Sequence, residues 1–515
     1  MKRVSGGYDP YRSACRVDLR VVFELVDVDA ATTAVPDVSG QAPVSQLGQL
    51  TDGTEAMGGK FAALEPDLWA LDGSVDILPD DVSGTQTGWW SDMLSGADGA
   101  FAVPPTLEFS FPEDVSSIGF TLAFDAAAGQ WASRIRVTTY QADGSVLTAA
   151  TVDNDAPTAV IDLMSDGYRR VAFEFLATSE PFRRARVCEA VFGIVQRFDG
   201  RTLSKAELEY ALSPTAEALP AAELTVTVDN LARRYNMVNP SGVYRYLQEG
   251  QGLTAKAVMD GAAVELGTLY FTSSEADDDG LTATITAHDK LYWLDGSTYR
   301  GGESGTWPLR EAVAAVLADA GAELEVDIPE AIGSRTVGKC VPKDASHREA
   351  LRLLAQAGRS TCYIRRDGVL AFTEFPWGEP VDERDGDNLT SLAGISVGER
   401  INTVELTVRD EYAGTEELVF TAEAPRGAGE GPHVKSVTNP CAAEGQLVAD
   451  WLLGLYQRRL NYALPGMANP AVELGDTITV HDAFGGRADA VVCGVELDYD
   501  GGLLGTTKAL GGEFT

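Results

Sequence analysis

Four tryptophans, Trp69, Trp89, Trp90 and Trp131, are the side chains of this sequence best suited to recognition chemistry. Trp89 and Trp90 adjoin, so in a strand their indoles face opposite sides, and one could stack on a sugar ring. The competing reading puts all four in a core or at its rim, because tryptophan is largely buried on average. Leu50-Thr51-Asp52-Gly53 offers the carboxylate and carbonyl oxygens that suit calcium, or simply a turn. Asp382, Asp385, Asp387 and Asn388 supply some oxygens of a calcium loop. They lack the bidentate glutamate at the required spacing and so read as a solvated linker. The four histidines, His288, His347, His433 and His481, lie far apart, and His288-Asp289 and His481-Asp482 each close a strand. No HExxH, GxSxG, GxxxxGK[ST] or Cys–His signature occurs. Nothing selects a pair for glycoside hydrolysis among the 77 acidic residues. The sequence therefore predicts no enzyme, no catalytic residue, no cofactor and no metal ligand.

The elements that would hold these residues belong to a large, acidic chain. Its 515 residues predict three or four domains, at roughly 100–200 residues each. With 77 acidic against 40 basic residues the formal charge is −37. That argues against binding a phosphate backbone and against electrostatic docking on anionic membranes. It is consistent with solubility, or with an assembly whose lumen repels nucleic acid. Cys15, Cys188, Cys340, Cys362, Cys441 and Cys493 are scattered without metal-ligand spacing, and read as small buried apolar residues of a chain made in a reducing cytoplasm. The amino-terminal MKRVSGGYDPYRSA has no apolar run of a secretory signal. No run of about 18 apolar residues exists to span a membrane, so no membrane anchor is expected.

Texture along the chain alternates between β and α. CRVDLRVVFELVDVDA (15–30) alternates as a strand does. From 36 to 185 short strands recur between polar turns: LEFSF, IGFTLAF, ASRIRVTTYQADG, SVLTAATVDN and YRRVAFEFLAT, a β-sandwich pattern. VCEAVFGIVQR (187–197) returns to the opening texture, as if the sandwich were inserted between two strands of one barrel. Such an insertion is tolerable if its ends lie close together. LTVTVDN (224–230), GTLYF (267–271) and LTATIT (281–286) continue that barrel, the last two joined by the turn Asp277–Gly280. LREAVAAVLADAG after Pro308, and SHREALRLLAQAG behind a Ser346/Glu349 capping box, predict helices that stop at glycines. CYIRRDGVLAFTEF is a hairpin turning at Asp367-Gly368. A long helix is expected over 441–461, with Val448, Trp451, Leu452, Leu455 and Leu460 on its apolar stripe. Val472-Glu473-Leu474-Gly475 repeats Val264-Glu265-Leu266-Gly267, each entering a strand, which hints at duplication. The expected fold is mainly β with α+β parts. It comprises a split first barrel (1–35 and 186–298) carrying an inserted sandwich (36–185), and a small α+β domain (299–380). A small β-rich domain (381–440) follows, then a helix with a second barrel (441–515), which strands from 390–425 could complete.

The run LTVTVDN…NPSGVYRYLQEGQGLTAKAVMDG…VELGTLYFTS…ATITAHDKLYWLDG resembles the tail-tip baseplate hub proteins of long-tailed bacteriophages, also called tail-associated proteins. The ending QLVADWLLGLYQRRLNYALPGMANPAVELGDTITV…GVELDYDGGLLG is similar to their last barrel and the helix before it. The resemblance covers 1–30 and 186–515 and rests on many weak positions. It implies two tube-type barrels per chain and a homotrimer whose six barrels imitate a hexameric tail tube. The implied partners are the distal tail protein ring, the tape-measure protein, receptor-binding proteins or tail fibres, and, transiently, phage DNA in the channel. The implied location is the virion's tail tip, after synthesis in the host bacterial cytoplasm. Many relatives continue into a lysin or fibre; this sequence stops at Thr515, so the expectation is of no such activity. LTDGTEAMGGKFAALEPDLWALDGS (50–74) and GWWSD (88–92) resemble a discoidin or galactose-binding-like jelly roll, which implies a host surface glycan as a further partner. Three function classes follow: a structural hub, a glycan-binding adhesin that the β scaffold presents, and a tail-associated cell-wall hydrolase.

Overall fold

The computed structural model describes residues 17–511, apart from 28–29, 54–60, 63–64, 70–71, 74, 76–85, 127, 240–241, 260–261, 277–280, 376–377, 415, 428–430 and 483. Cys15, the turn at 277–280 and much of the 50–74 stretch therefore lie outside the described residues or only partly within them. The chain is mainly β with smaller α+β parts. It divides into two compact units, one of 22–197 with 234–252, the other of 1–21, 198–233 and 253–515. Among the described residues no helix is long and apolar enough to cross a membrane.

The first unit is built on a sandwich. One sheet orders its strands Val35–Val38, Thr106–Ser117, Ser165–Thr178, Ala132–Tyr140, Val146–Asp153; the other runs Trp89–Trp90, Arg186–Val191, Phe120–Phe124, Thr158–Ile161. Alternate residues of both sheets meet in an aromatic core that includes Trp89, Phe109, Phe120, Phe173 and Phe175. Edge-to-face contacts such as Phe109 with Phe192, at 5.0 Å between ring centroids, fix its packing. The sequence placed Arg186–Val191 in the barrel, but this segment is a central strand of the sandwich. It pairs with Trp89-Trp90 on one edge and Phe120–Phe124 on the other, so both its backbone edges are hydrogen-bonded. Beyond it, Gly193–Phe198 lies beside Asp18–Val26. A Cβ on Gly193 would come within 2.1 Å of Leu25 O and 2.7 Å of Val26 Cα. The chain leaves at Val26 and returns at Gly193 almost in contact, the short span that makes a long insertion affordable.

In the second unit one open, mainly antiparallel sheet stands where two barrels were expected. Its order runs Gly252–Met259, Ala262–Ala276, Thr282–His288, Glu223–Asp229, Leu203–Ala211, Arg487–Tyr499, Leu503–Gly511, Leu460–Met467, Gly394–Val397. Strands from the first half of the chain thus join strands from its end, through Ala206–Ala211 against Gly494–Tyr499 in continuous register. None of the described sheets closes on itself.

The α+β parts follow their local signals. Leu309–Ala320 ends on Gly321 in the left-handed region, with φ 60°. His347–Ala357 starts at Ser346, whose Oγ accepts from the Glu349 backbone N–H. Glu349 itself turns to Arg352, with bonds of 2.6 and 2.7 Å, instead of completing a capping box. The long helix is shorter than expected: it spans Gly445–Tyr456, and Leu460 opens a strand that pairs with Gly511 and Val397. The acidic connector is not a solvated linker. Asp382–Arg384 adds a parallel strand to Thr477–His481, and Arg384, buried, pairs with Asp382 at 3.2 Å. Arg384 also donates to Met467 O at 2.8 Å, and Asn388 donates to Glu383 O at 2.8 Å. Buried guanidinium and carboxylate groups need such partners, so the segment's charge holds it in place.

Candidate functional site

The seam between the two halves of the long sheet gathers acidic side chains on one face. Leu208, Leu497 and Leu224 point to the buried face, so their neighbours Glu207, Glu209, Glu223, Glu496 and Asp498 emerge together on the other. Pairing sets Glu209 directly opposite both Glu496 and Glu223, and Glu207 opposite Asp498. Like charges in direct register destabilise a sheet by about 0.2–1 kcal/mol per pair. Burial, and then the Glu207 and Glu496 charges, push the Asp498 carboxyl above its ordinary range. Lys205 beside Glu207, Lys508 beside Glu496, and His288 at 3.4 Å from Glu223 offset part of the field at the margins. The five carboxylates line a shallow hollow of about 200 Å³. Such a surface repels polyanions. Among the described residues no three His, Cys, Asp or Glu side chains converge as a metal ion would need.

The repeated tetrapeptide is structurally doubled as well. Tyr210 Oη donates to Leu266 O at 2.5 Å, and Tyr363 Oη donates to Leu474 O at 3.1 Å. The next residue in each copy, Gly267 or Gly475, has positive φ, 127° or 84°. At Gly267 a Cβ would also lie 2.6 Å from Tyr210 Oη, so glycine is required there on both counts. The strand context differs from expectation: Val264–Gly267 lies inside Ala262–Ala276, whereas Val472–Gly475 forms the turn ahead of Thr477–His481. Tyr210, Tyr363, Arg366 and Glu473 share one cavity of about 230 Å³. Arg366 donates there to Val472 O at 2.9 Å, and burial pushes the Tyr363 phenol up to about 12.

Trp89 and Trp90 cannot serve as sugar platforms. Both are fully buried; Trp89 Nε1 donates to Gly40 O and Trp90 Nε1 to Thr87 O, each at 3.0 Å. Trp90 is covered by the Arg186 guanidinium at 4.0 Å, and Arg186 is itself held between Glu65 and Asp125. Adjacent tryptophans do face opposite ways, as alternation demands, but here both ways are inward. Trp69 and Trp131 are half-buried. At Leu50–Gly53, Leu50 O accepts from Ala190 N, Asp52 accepts from Gln86 Nε2 at 3.4 Å, and Gly53 turns with φ 84°.

One constellation escaped the sequence. Ser297 Oγ lies 2.8 Å from His347 Nδ1, and His347 Nε2 lies 3.0 Å from Asp319 Oδ2. The Asp319 carboxyl sits below its ordinary range, held down first by the Arg300 backbone N–H and then by His347. These are the residue types of a nucleophile, a base and its orienter. However, Ser297 O also accepts from His347 N and faces Nδ1, both at 3.1 Å, so the imidazole binds the loop's backbone as well as its hydroxyl. The group latches the 295–300 loop to the start of one helix and the end of another. Gaps of 50 and 28 residues hid it from any motif search.

No family model and no curated protein matches the chain. Solved structures do. A tail protein from Neisseria meningitidis MC58 is similar at TM-score 0.45 and 14% identity, over 61% of this chain and 93% of that one. The 43 kDa tail protein of prophage MuSo2 from Shewanella oneidensis is similar at TM-score 0.43 and 16% identity, over 61% and 93%. A family 32 carbohydrate-binding module from C. perfringens NanJ, solved with galactose, is similar at TM-score 0.21 and 9% identity, over 34% of this chain and 99% of that module.

Proposed function

We propose that this chain is a structural protein of a phage tail. In this reading it is a homotrimeric hub that closes the tail tube at its tip, joins the distal tail protein ring, and lies near the end of the tape-measure protein. The observation that carries the proposal is the seam: two halves with a shared motif continue one sheet, and the exposed face of the join bears five opposed carboxylates. Repulsion kept against stability is what a wall that must not bind passing DNA requires. Each protomer then supplies two tube-like pieces to an apparent sixfold ring. Native mass measurement tests the stoichiometry, and a purified chain that stays monomeric with its ring partner would count against the hub. Phage carrying Glu207→Gln, Glu209→Gln, Glu496→Gln and Asp498→Asn should eject DNA more slowly; an unchanged rate would remove the lumen assignment.

The insert supports a second reading, in which it serves adhesion to a host surface glycan or docks a receptor-binding protein or fibre. It folds around its own aromatic core, and the chain leaves it at Val26 and returns at Gly193 almost in contact, so its removal leaves only a short gap to bridge. Deleting 28–192 across a short linker should leave assembled tails while adsorption drops. Adsorption equal to wild type would end that role.

A further inference from the structure

The long sheet ends, among the described residues, on Gly394–Val397, which pairs on one side only, with Leu460–Ala463. Every residue of this edge strand is exposed, including Ile395 and Val397. Beside it opens a groove of about 470 Å³ lined by Leu389, Leu392, Ile395 and Phe484, in which Leu392 is 79% exposed and Phe484 97%. Side chains of this size are left in water at considerable cost unless a partner covers them. The groove's rim is acidic: Asp482 lines it, and Asp385 and Asp387 flank its Gly386.

A second feature of the same chain has the opposite character. The loop after Glu223–Asp229 holds Leu231, Met237 and Val238 in solvent, at 70%, 69% and 88% exposure, beside Arg233 and Arg234. The loop is braced. Arg233 N donates to Asn230 O at 2.7 Å, Val243 N to Arg234 O at 2.7 Å, and the buried Tyr235 donates to Gln196 at 2.7 Å. Three apolar side chains beside two arginines, on a chain of charge −37, form a preorganised knob that loses little entropy on binding.

We infer that the groove of one protomer receives the 231–238 loop of the next. Apolar knobs enter the apolar groove, and the arginines meet the aspartates at its rim. Knob and groove are different surfaces of the chain, so the contact is heterologous, and repetition closes a ring when the rotation allows it. The inference rests on the homotrimer proposed above and names its contact.

Full-length chain carrying Val238→Cys and Leu392→Cys, oxidised with copper–phenanthroline, should yield covalent dimers and trimers, and either single variant at least tenfold less. Met237→Asp should convert the trimer to monomer with an unchanged circular dichroism spectrum. A wild-type trimer that Met237→Asp leaves intact, with no cross-link in the double variant, overturns the inference, assigns the groove to another tail protein, and leaves the hub reading standing. A monomeric wild type removes the hub reading and the inference together.

Discussion

Asp289 shows how a single residue can tie stability to pH. It is buried, accepting from Ala222 N at 2.8 Å and Leu291 N at 2.9 Å, and burial raises its carboxyl to about 6. A raised carboxyl means that the folded state holds the proton more tightly than the unfolded chain, whose Asp titrates near 3.9. The stabilisation this gives is complete below about pH 4 and is lost as pH rises to about 6. The difference in urea midpoint between pH 4 and pH 7 should therefore shrink in Asp289→Asn, which also loses about 1–3 kcal/mol because one backbone N–H loses its acceptor. An unchanged difference would show that Asp289 does not titrate there. The tryptophans separate at the same scale. Trp89→Ala empties a core position and should cost about 3–5 kcal/mol. Trp131→Ala, at a half-buried site, should cost much less. Chemical denaturation of both compares them, and equal losses would place Trp131 in the core.

At the scale of elements, the seam strands are in conflict with themselves. Glu209 stands between Glu223 and Glu496, so Glu209→Gln relieves two repulsions at once. The variant should be more stable by about 0.2–1 kcal/mol, an effect that fades as salt screens the charges. Thermal melts at low and high salt check it, and a destabilised variant would mean that Glu209 has a partner in the fold. Element types were largely legible in the sequence. The turn at Asp367-Gly368, the helix stop at Gly321 and the cap at Ser346 are local devices that act within a few residues. Boundaries were less legible where two periodicities overlap. Leu460 fits the stripe of the preceding helix, yet its backbone is taken by Val397 and Gly511 on either side.

At the scale of the molecule, two units with separate cores should melt separately. Calorimetry of the intact chain should show two transitions, and removal of 28–192 should erase one and leave the other within a few degrees. Loss of both would show that the sandwich stabilises the rest. The carboxylates are likewise a property of the whole. The overall charge of −37 was plain from composition, but not that five of its acids would be gathered across a join between residues nearly 300 positions apart, as Glu209 and Glu496 are.

By itself the sequence determined what depends on near neighbours: the period-2 strands, the glycine stops and the Ser346 cap. Only the tertiary structure decided what depends on pairing at a distance. It turned both tryptophans inward, Trp89 into the aromatic core beside Phe175 and Trp90 into a small cluster with Ala42, Val44 and Phe61. It drew Asp382–Arg384 of the connector into the sheet, where the buried Arg384 pairs with Asp382. It brought Ser297, His347 and Asp319 together, and it set glutamates opposite one another at the seam. Register between remote strands follows from the whole set of buried contacts, and no local pattern of residue types encodes it.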